Sequence, residues 1–295
     1  MLNLITVESG AARLVLAPEI GGSIAGWTRY GQPIMRPIAP EALNWREPRD
    51  LSSYPLFPYS NRVAGRCFNF AGVTYELPNL LNGSAIHGAG WRLPWAAIQD
   101  GPTATIMLDH SPDGLWPFAF HAEQRFTLTE DQLVCDLLIE NRHDAAAPAG
   151  FGLHPYFPRS PEMRLQFTAD HVWLNREADM IPVERTRVPP EWDHRDGLAV
   201  GSVRLDNCFA GWNGAARLIY PDRGFALAIA ADPIFRHLVV YVPENTSFLA
   251  VEPVSNMNDG LNRMDGATDH GVFVLEPGEA KTGRITYTVE ELAAA

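Results

Sequence analysis

Apolar residues in this chain recur at every second position over long stretches, and that rhythm calls for strands. In Phe120-His121-Ala122-Glu123-Gln124-Arg125-Phe126-Thr127-Leu128, Phe120, Ala122, Phe126 and Leu128 share one face, while His121, Glu123, Arg125 and Thr127 share the other. Side chains alternate across a strand, so this pattern predicts a half-buried β-strand. Thr129-Glu130-Asp131-Gln132 reads as a turn, with 133–140 as the return strand of a hairpin. A second hairpin is predicted at 216–220 and 225–230. Its turn, Pro221-Asp222-Arg223-Gly224, has the proline, aspartate and closing glycine of a type I turn. Further strands are expected at 12–16, 73–77, 103–108, 237–242, 247–251, 272–275 and 283–289. The 24 glycines and 24 prolines interrupt the 295 residues too often for long amphipathic helices. The expectation is an all-β chain with very little helix, a large antiparallel sandwich or barrel forming one domain over 1–295. Residues 176–200 are the most irregular stretch and read as a long surface excursion.

Charge and residue usage then remove whole classes of function. The net charge of −12 argues against nucleic acid and anionic membranes as partners. Lys281 is the only lysine, the other 22 basic residues being arginines. A phosphate-binding P-loop has no lysine to use. A Schiff-base mechanism needs a desolvated lysine, and Lys281 reads as part of an exposed turn at 278–283. Cys67, Cys135 and Cys208 are far apart and odd in number, which supports neither a structural zinc site nor a disulfide framework. The first residues lack the basic and apolar runs of a signal peptide, and no apolar stretch reaches the length of a membrane span. A reducing, cytoplasmic setting is expected.

Ionisable residues break the apolar pattern at a few points. His154 follows Gly150-Phe151-Gly152-Leu153 and precedes Pro155; Glu252 follows Leu249-Ala250-Val251 and precedes Pro253. A residue before proline is pushed to extended backbone, so both side chains are expected on stiff strand ends. A carboxylate closing an apolar run needs a partner. Each residue alone also admits a structural role: Glu252 paired with an arginine, His87 as a core histidine bonded to backbone, Trp91 as core. The metalloprotease HExxH, the GxSxG elbow and a complete dinucleotide loop are absent.

Taken in order, these segments resemble the aldose 1-epimerase (galactose mutarotase) family. The resemblance runs from about Pro55 to Asn262. It comprises Asn61-Arg62, His87-Gly88, Pro94-Trp95, Gly152-Leu153-His154-Pro155-Tyr156-Phe157, the Asp206 segment at 205–209, and Glu252-Pro253. The resemblance implies a large antiparallel β-supersandwich. It implies His154 as general acid, Glu252 as general base, and Arg62, His87 and Asp206 as binders of sugar hydroxyls. Asn61 and Trp91 complete the set of candidate substrate-binding residues.

The implied reaction interconverts α and β anomers of a free aldose. A base takes the proton of the anomeric hydroxyl while an acid protonates the ring oxygen; the carbonyl rotates, and the ring closes with the roles exchanged. Both steps are proton transfers, so no metal or other cofactor is expected. The partner is a small sugar; which aldose, and whether the protein is a homodimer, stay open. Two alternatives share the fold. One is a hexose-6-phosphate 1-epimerase using Arg66, Arg92 and Arg159 for the phosphate. The other is a non-catalytic sugar-binding or sensor protein, which would have no need of a proton-transfer pair.

Overall fold

The computed structural model describes residues 2–39, 41–81, 83–201, 203–266 and 269–293. Strand accounts for 50% of it and helix for 8%. Two large antiparallel sheets, one 11-stranded and one 9-stranded, dominate the architecture. Among the described residues no helix is long and apolar enough to cross a membrane.

The smaller sheet holds the elements with the clearest alternation. Phe120–Leu128 pairs with Gln132–Asn141, which pairs with Ala280–Glu291. Ala215–Tyr220 and Phe225–Ala231 form the second expected hairpin beside it, closed by Gly224 at φ 72°. Gln124 lies on the apolar face of its strand yet is buried, because its amide donates to the Gly22 carbonyl at 3.0 Å. Lys281 is not in a turn: it lies in Ala280–Glu291, opposite Ile139, with its ammonium 3.0 Å from Glu279. Four residues of the expected turn, 280–283, are already paired as strand.

The larger sheet reads differently, because both its faces are covered. Its central order is Ser53–Leu56, Gly152–Pro158, Phe248–Val254, His237–Val242 and Leu205–Ala210. One face presents Leu153, Phe157, Leu249, Val251, Leu238 and Val240 to the core shared with Phe126, Leu137 and Tyr287 of the other sheet. Each such side chain removed from water contributes about 1.5–3 kcal/mol. The opposite face carries Tyr54, Tyr156, Val239, Ala250 and Cys208, which form a second, smaller apolar cluster. These strands are therefore buried at nearly every position, and no polar face marks their period.

The stretch 176–200 is less irregular than its composition implies. Pro182–Arg187 forms an edge strand of the larger sheet against His171–Asn175, and Leu198–Ala199 pairs at the edge of the smaller one. Proline is tolerated at such edges because an outward-facing amide has no ladder partner to lose.

Candidate active site

The two proline-flanked residues meet in the middle of the larger sheet. His154 and Glu252 are not at strand ends: Gly152–Pro158 and Phe248–Val254 both continue through their prolines. Ladder pairing joins Gly152 with Val254 and Tyr156 with Ala250, and this register sets His154 opposite Glu252. Between those pairs the ladder lapses, since Pro155 and Pro253 have no N–H to donate. Gly152 allows the two strands this approach, because a Cβ there would stand 2.6 Å from the Pro253 carbonyl. The side chains close the gap instead, with His154 Nε2 3.2 Å from Glu252 Oε1.

Two rows of side chains cross the face at this point. Tyr54, His154, Glu252, Val239 and Cys208 form the first. Tyr156, Ala250, Tyr241 and Asp206 form the second, one step along the strands. Residues two apart share a face, so Asp206 looks toward the same side as Glu252 despite lying in another part of the sequence. Tyr54 stacks on the His154 imidazole at 4.6 Å between centroids and meets His87 edge-on at 5.8 Å.

A short ribbon brings in the remaining candidates. Arg62–Val63 pairs with Ala85–Ile86, so Asn61 and Arg62 sit beside His87. The ribbon is tied down from below, where the Asp259 amide donates to the Arg62 carbonyl at 2.7 Å and its carboxylate accepts from Ala64 N at 2.9 Å. Asn61 N donates to His87 Nδ1 at 3.1 Å, and His87 N donates to the Asn61 carbonyl at 3.0 Å. With Nδ1 accepting, the hydrogen of the neutral imidazole belongs on Nε2. His87 and Gly88 are both in left-handed backbone, at φ 62° and 71°. A Cβ at Gly88 would fall 2.1 Å from the Phe57 carbonyl oxygen. Gly88→Ala is expected to cost roughly 1–3 kcal/mol or more and to displace His87. A lowered Tm in thermal unfolding is the check.

Together these elements enclose a cleft of about 410 Å³, a size suited to a small ligand. Asn61, Arg62, His87, His154, Asp206 and Glu252 all line it. Trp91 does not: it is fully buried beneath the cleft, 5.6 Å from Tyr54 between centroids, with its indole N–H donated to the Ile86 carbonyl. It supports the wall rather than forming it. Arg66, Arg92 and Arg159 are also absent from the lining. Arg159 is spent on the carbonyls of Pro243, Val200 and Gly201, and Arg92 lies over Trp91 and 3.6 Å from Glu47. The basic residues that do line the cleft are Arg36, Arg49 and Arg62. Arg36 lies over the Tyr156 ring at 3.9 Å and donates to the Arg49 and Leu51 carbonyls; Arg49 is paired with Glu47 at 2.9 Å. Among the described residues, no hydrogen bond or ion pair occupies the Arg62 guanidinium. Nor do three acidic, histidine or cysteine side chains among them converge as ligands for a metal.

Burial sets the electrostatics of the pair. It drives the Glu252 carboxyl well above its ordinary range; Asp206 pushes it further and Arg62 pulls it back. Burial also drives His154 down to about 3, with Arg36 adding to the effect. His87 is held neutral by burial first and then by His154 and Arg62. Asp206 is raised by burial against the pull of Arg62. Both shifts favour the neutral forms, a carboxyl and an imidazole, across the 3.2 Å contact. His154 Nδ1 and Glu252 Oε2 are buried and have no partner among the described residues. Buried polar atoms left this way are what an incoming hydroxyl can satisfy.

Comparison with known proteins bears on the fold and the family. The aldose 1-epimerase family model matches residues 3–288. The uncharacterized protein YphB of Escherichia coli K12 is 30% identical over 99% of this chain and 100% of its own length. A crystal structure from the same organism, 30% identical, has a TM-score of 0.89 over 99% of this chain and 100% of that one. The galactose 1-epimerase of Lactobacillus acidophilus NCFM shares the fold, with a TM-score of 0.80 at 18% identity over 99% and 95% of the two chains. A family match of this extent is decisive: the chain belongs to the aldose 1-epimerase family.

Proposed function

We propose that the protein is an aldose 1-epimerase that interconverts the anomers of a free aldose by general acid–base ring opening and closure. The observation that carries this reading is the buried His154–Glu252 pair, whose side chains meet at 3.2 Å on the floor of the cleft. The reaction needs a donor at the ring oxygen and an acceptor at the anomeric hydroxyl. Both oxygens are bonded to one carbon, so two groups this close can serve them together. Moving the resting proton from Glu252 to His154 gives the carboxylate base and imidazolium acid. Arg62 favours that ionised form of Glu252. After the carbonyl rotates, the ring closes with each group in the opposite role. Arg62, His87 Nε2–H and Asp206 offer donors and an acceptor to hydroxyls, which both donate and accept.

The test is NMR exchange between anomers of galactose, glucose, arabinose, fucose and their phosphates. Acceleration of at least one free sugar is expected; exchange at the background rate on every sugar would sink the reading. Preference for a sugar phosphate would favour the phosphate-specific alternative, with Arg36, Arg49 and Arg62 as its basic residues.

The pH profile of kcat/KM should be a bell whose limbs belong to the pair. Its acid limb should lie below the usual histidine range and its alkaline limb above the usual carboxylate range. Above the alkaline limb the pair has lost its only proton. Removing the positive charge in Arg62→Ala should move that limb up, and removing the negative charge in Asp206→Asn should move it down. Arg62→Ala should otherwise act mainly on KM, since a binding group contacts ground and transition states alike. A shift of the alkaline limb in the same direction in both variants would contradict this electrostatic account.

A further inference from the structure

The catalytic cleft does not end at Asp206. A second depression of about 690 Å³ adjoins it, and Asp206 and Tyr241 line both. Its far wall comes from the irregular stretch after residue 175: Glu177, Met180 and Trp192. Trp192 is half-buried, partly packed on the main core and otherwise facing the depression. At the seam, pairing of the 171–175 and 182–187 strands slips between Leu174 and Asn175. A bulge of this kind re-aims a side chain. Asn175 donates to the Asp206 carbonyl at 2.6 Å, and its own Oδ1 is buried without a partner among the described residues.

We propose that this depression is a second sugar subsite, which takes the non-reducing residue of a reducing disaccharide while the reducing ring occupies the catalytic cleft. The inference rests on the epimerase reading for the first subsite. The direction of the groove sets the chemistry. It leaves the cleft past Asp206, away from the His154–Glu252 pair. The added residue must therefore hang from a non-anomeric hydroxyl, which keeps the reacting carbon free. The lining suits a neutral ring, with an indole and a thioether for apolar C–H faces and carboxylates and amides for hydroxyls. Glu177, Asp206 and Glu244 against Arg204 leave the walls net negative, which disfavours a phosphate or uronate there.

The experiment measures anomer exchange of lactose, cellobiose, melibiose and gentiobiose beside galactose and glucose. The expected result is at least one disaccharide exchanged as efficiently as its parent monosaccharide. Trp192→Ala, which removes the platform, and Met180→Trp, which fills the space, should each raise KM for that disaccharide by about tenfold or more, the scale of a lost apolar contact. Monosaccharide exchange should stay within about twofold of the parent protein. Circular dichroism checks the fold, and the filling variant keeps the test alive should Trp192→Ala prove unstable. Disaccharides that are all refused, or variants that slow both sugar classes alike, would overturn the subsite and leave the epimerase intact. If no sugar is exchanged, the epimerase reading falls. Ligand-observed NMR of lactose then decides the groove: binding lost in Met180→Trp supports it, and no binding ends it.

Discussion

Glu252→Gln is expected to lose roughly 10² to 10⁴ in kcat on the best aldose while keeping its fold. Glutamine preserves the shape and can still donate toward His154 Nε2, so the 3.2 Å contact has a substitute. It cannot take or give a proton. The same change should stabilise the protein at high pH. The folded-state pKa of Glu252 is raised above its unfolded value, chiefly by burial. In the parent protein the unfolded chain gives up this proton as pH passes the ordinary carboxylate range, while the folded chain still holds it. Stability is therefore lost as pH rises from there to the folded pKa, at about 1.4 kcal/mol per pKa unit. The variant has no such loss. Its Tm advantage should be absent in acid, grow through neutrality and then level off. Near-normal exchange in Glu252→Gln would remove Glu252 as a proton carrier.

His154→Asn should lose catalysis on the same scale, roughly 10² to 10⁴, because the pair then has a carboxyl with no counterpart. Its effect on stability should appear at the opposite end of the pH range. Burial lowers His154 to about 3, so the folded protein keeps the imidazole neutral after the unfolded chain has begun to protonate it. That contribution is complete above the ordinary histidine range and is lost as pH falls toward the folded value. Asparagine does not titrate. The variant should be the less stable protein at pH 7, where it gives up stacking on Tyr54, and should recover relative to the parent in acid. Thermal unfolding across pH, read beside anomer exchange, checks both. Parallel Tm curves for variant and parent would mean that His154 is not the buried neutral group described above.

The first hairpin was legible because burial alternates along both its strands, and the second because Pro221-Asp222-Arg223-Gly224 marks a turn between apolar runs. The strands that carry the site were harder to place. Gly152–Pro158 is buried at all but its last position, and a strand covered on both faces has no polar period to read. His154 and Glu252 stood out for another reason, an ionisable residue before proline inside an apolar run. That signal marked them and misled about their place, because the prolines sit in the ladder gap rather than at the ends. Trp91 illustrates the same limit. Its nearness to His87 in sequence suggested the cleft, but φ 71° at Gly88 turns the chain and buries the indole below. Arg36, Arg49 and Tyr54 line the cleft with no local pattern to announce them. Only the antiparallel register joins Tyr54 to His154, and register over a hundred residues is a tertiary property.

That register also bears on how such a protein can change over generations. Because His154 and Glu252 face each other by strand position, gaining or losing one residue on either strand would turn its side chain into the core. Length is frozen at 152–158 and 248–254, where only substitution is tolerated. The edge strand and loops at 176–200 carry no such constraint, and loops accept insertions at modest cost. A lineage can therefore remodel what lies beyond Asp206 by lengthening or trimming that stretch, with the His154–Glu252 pairing inherited unchanged.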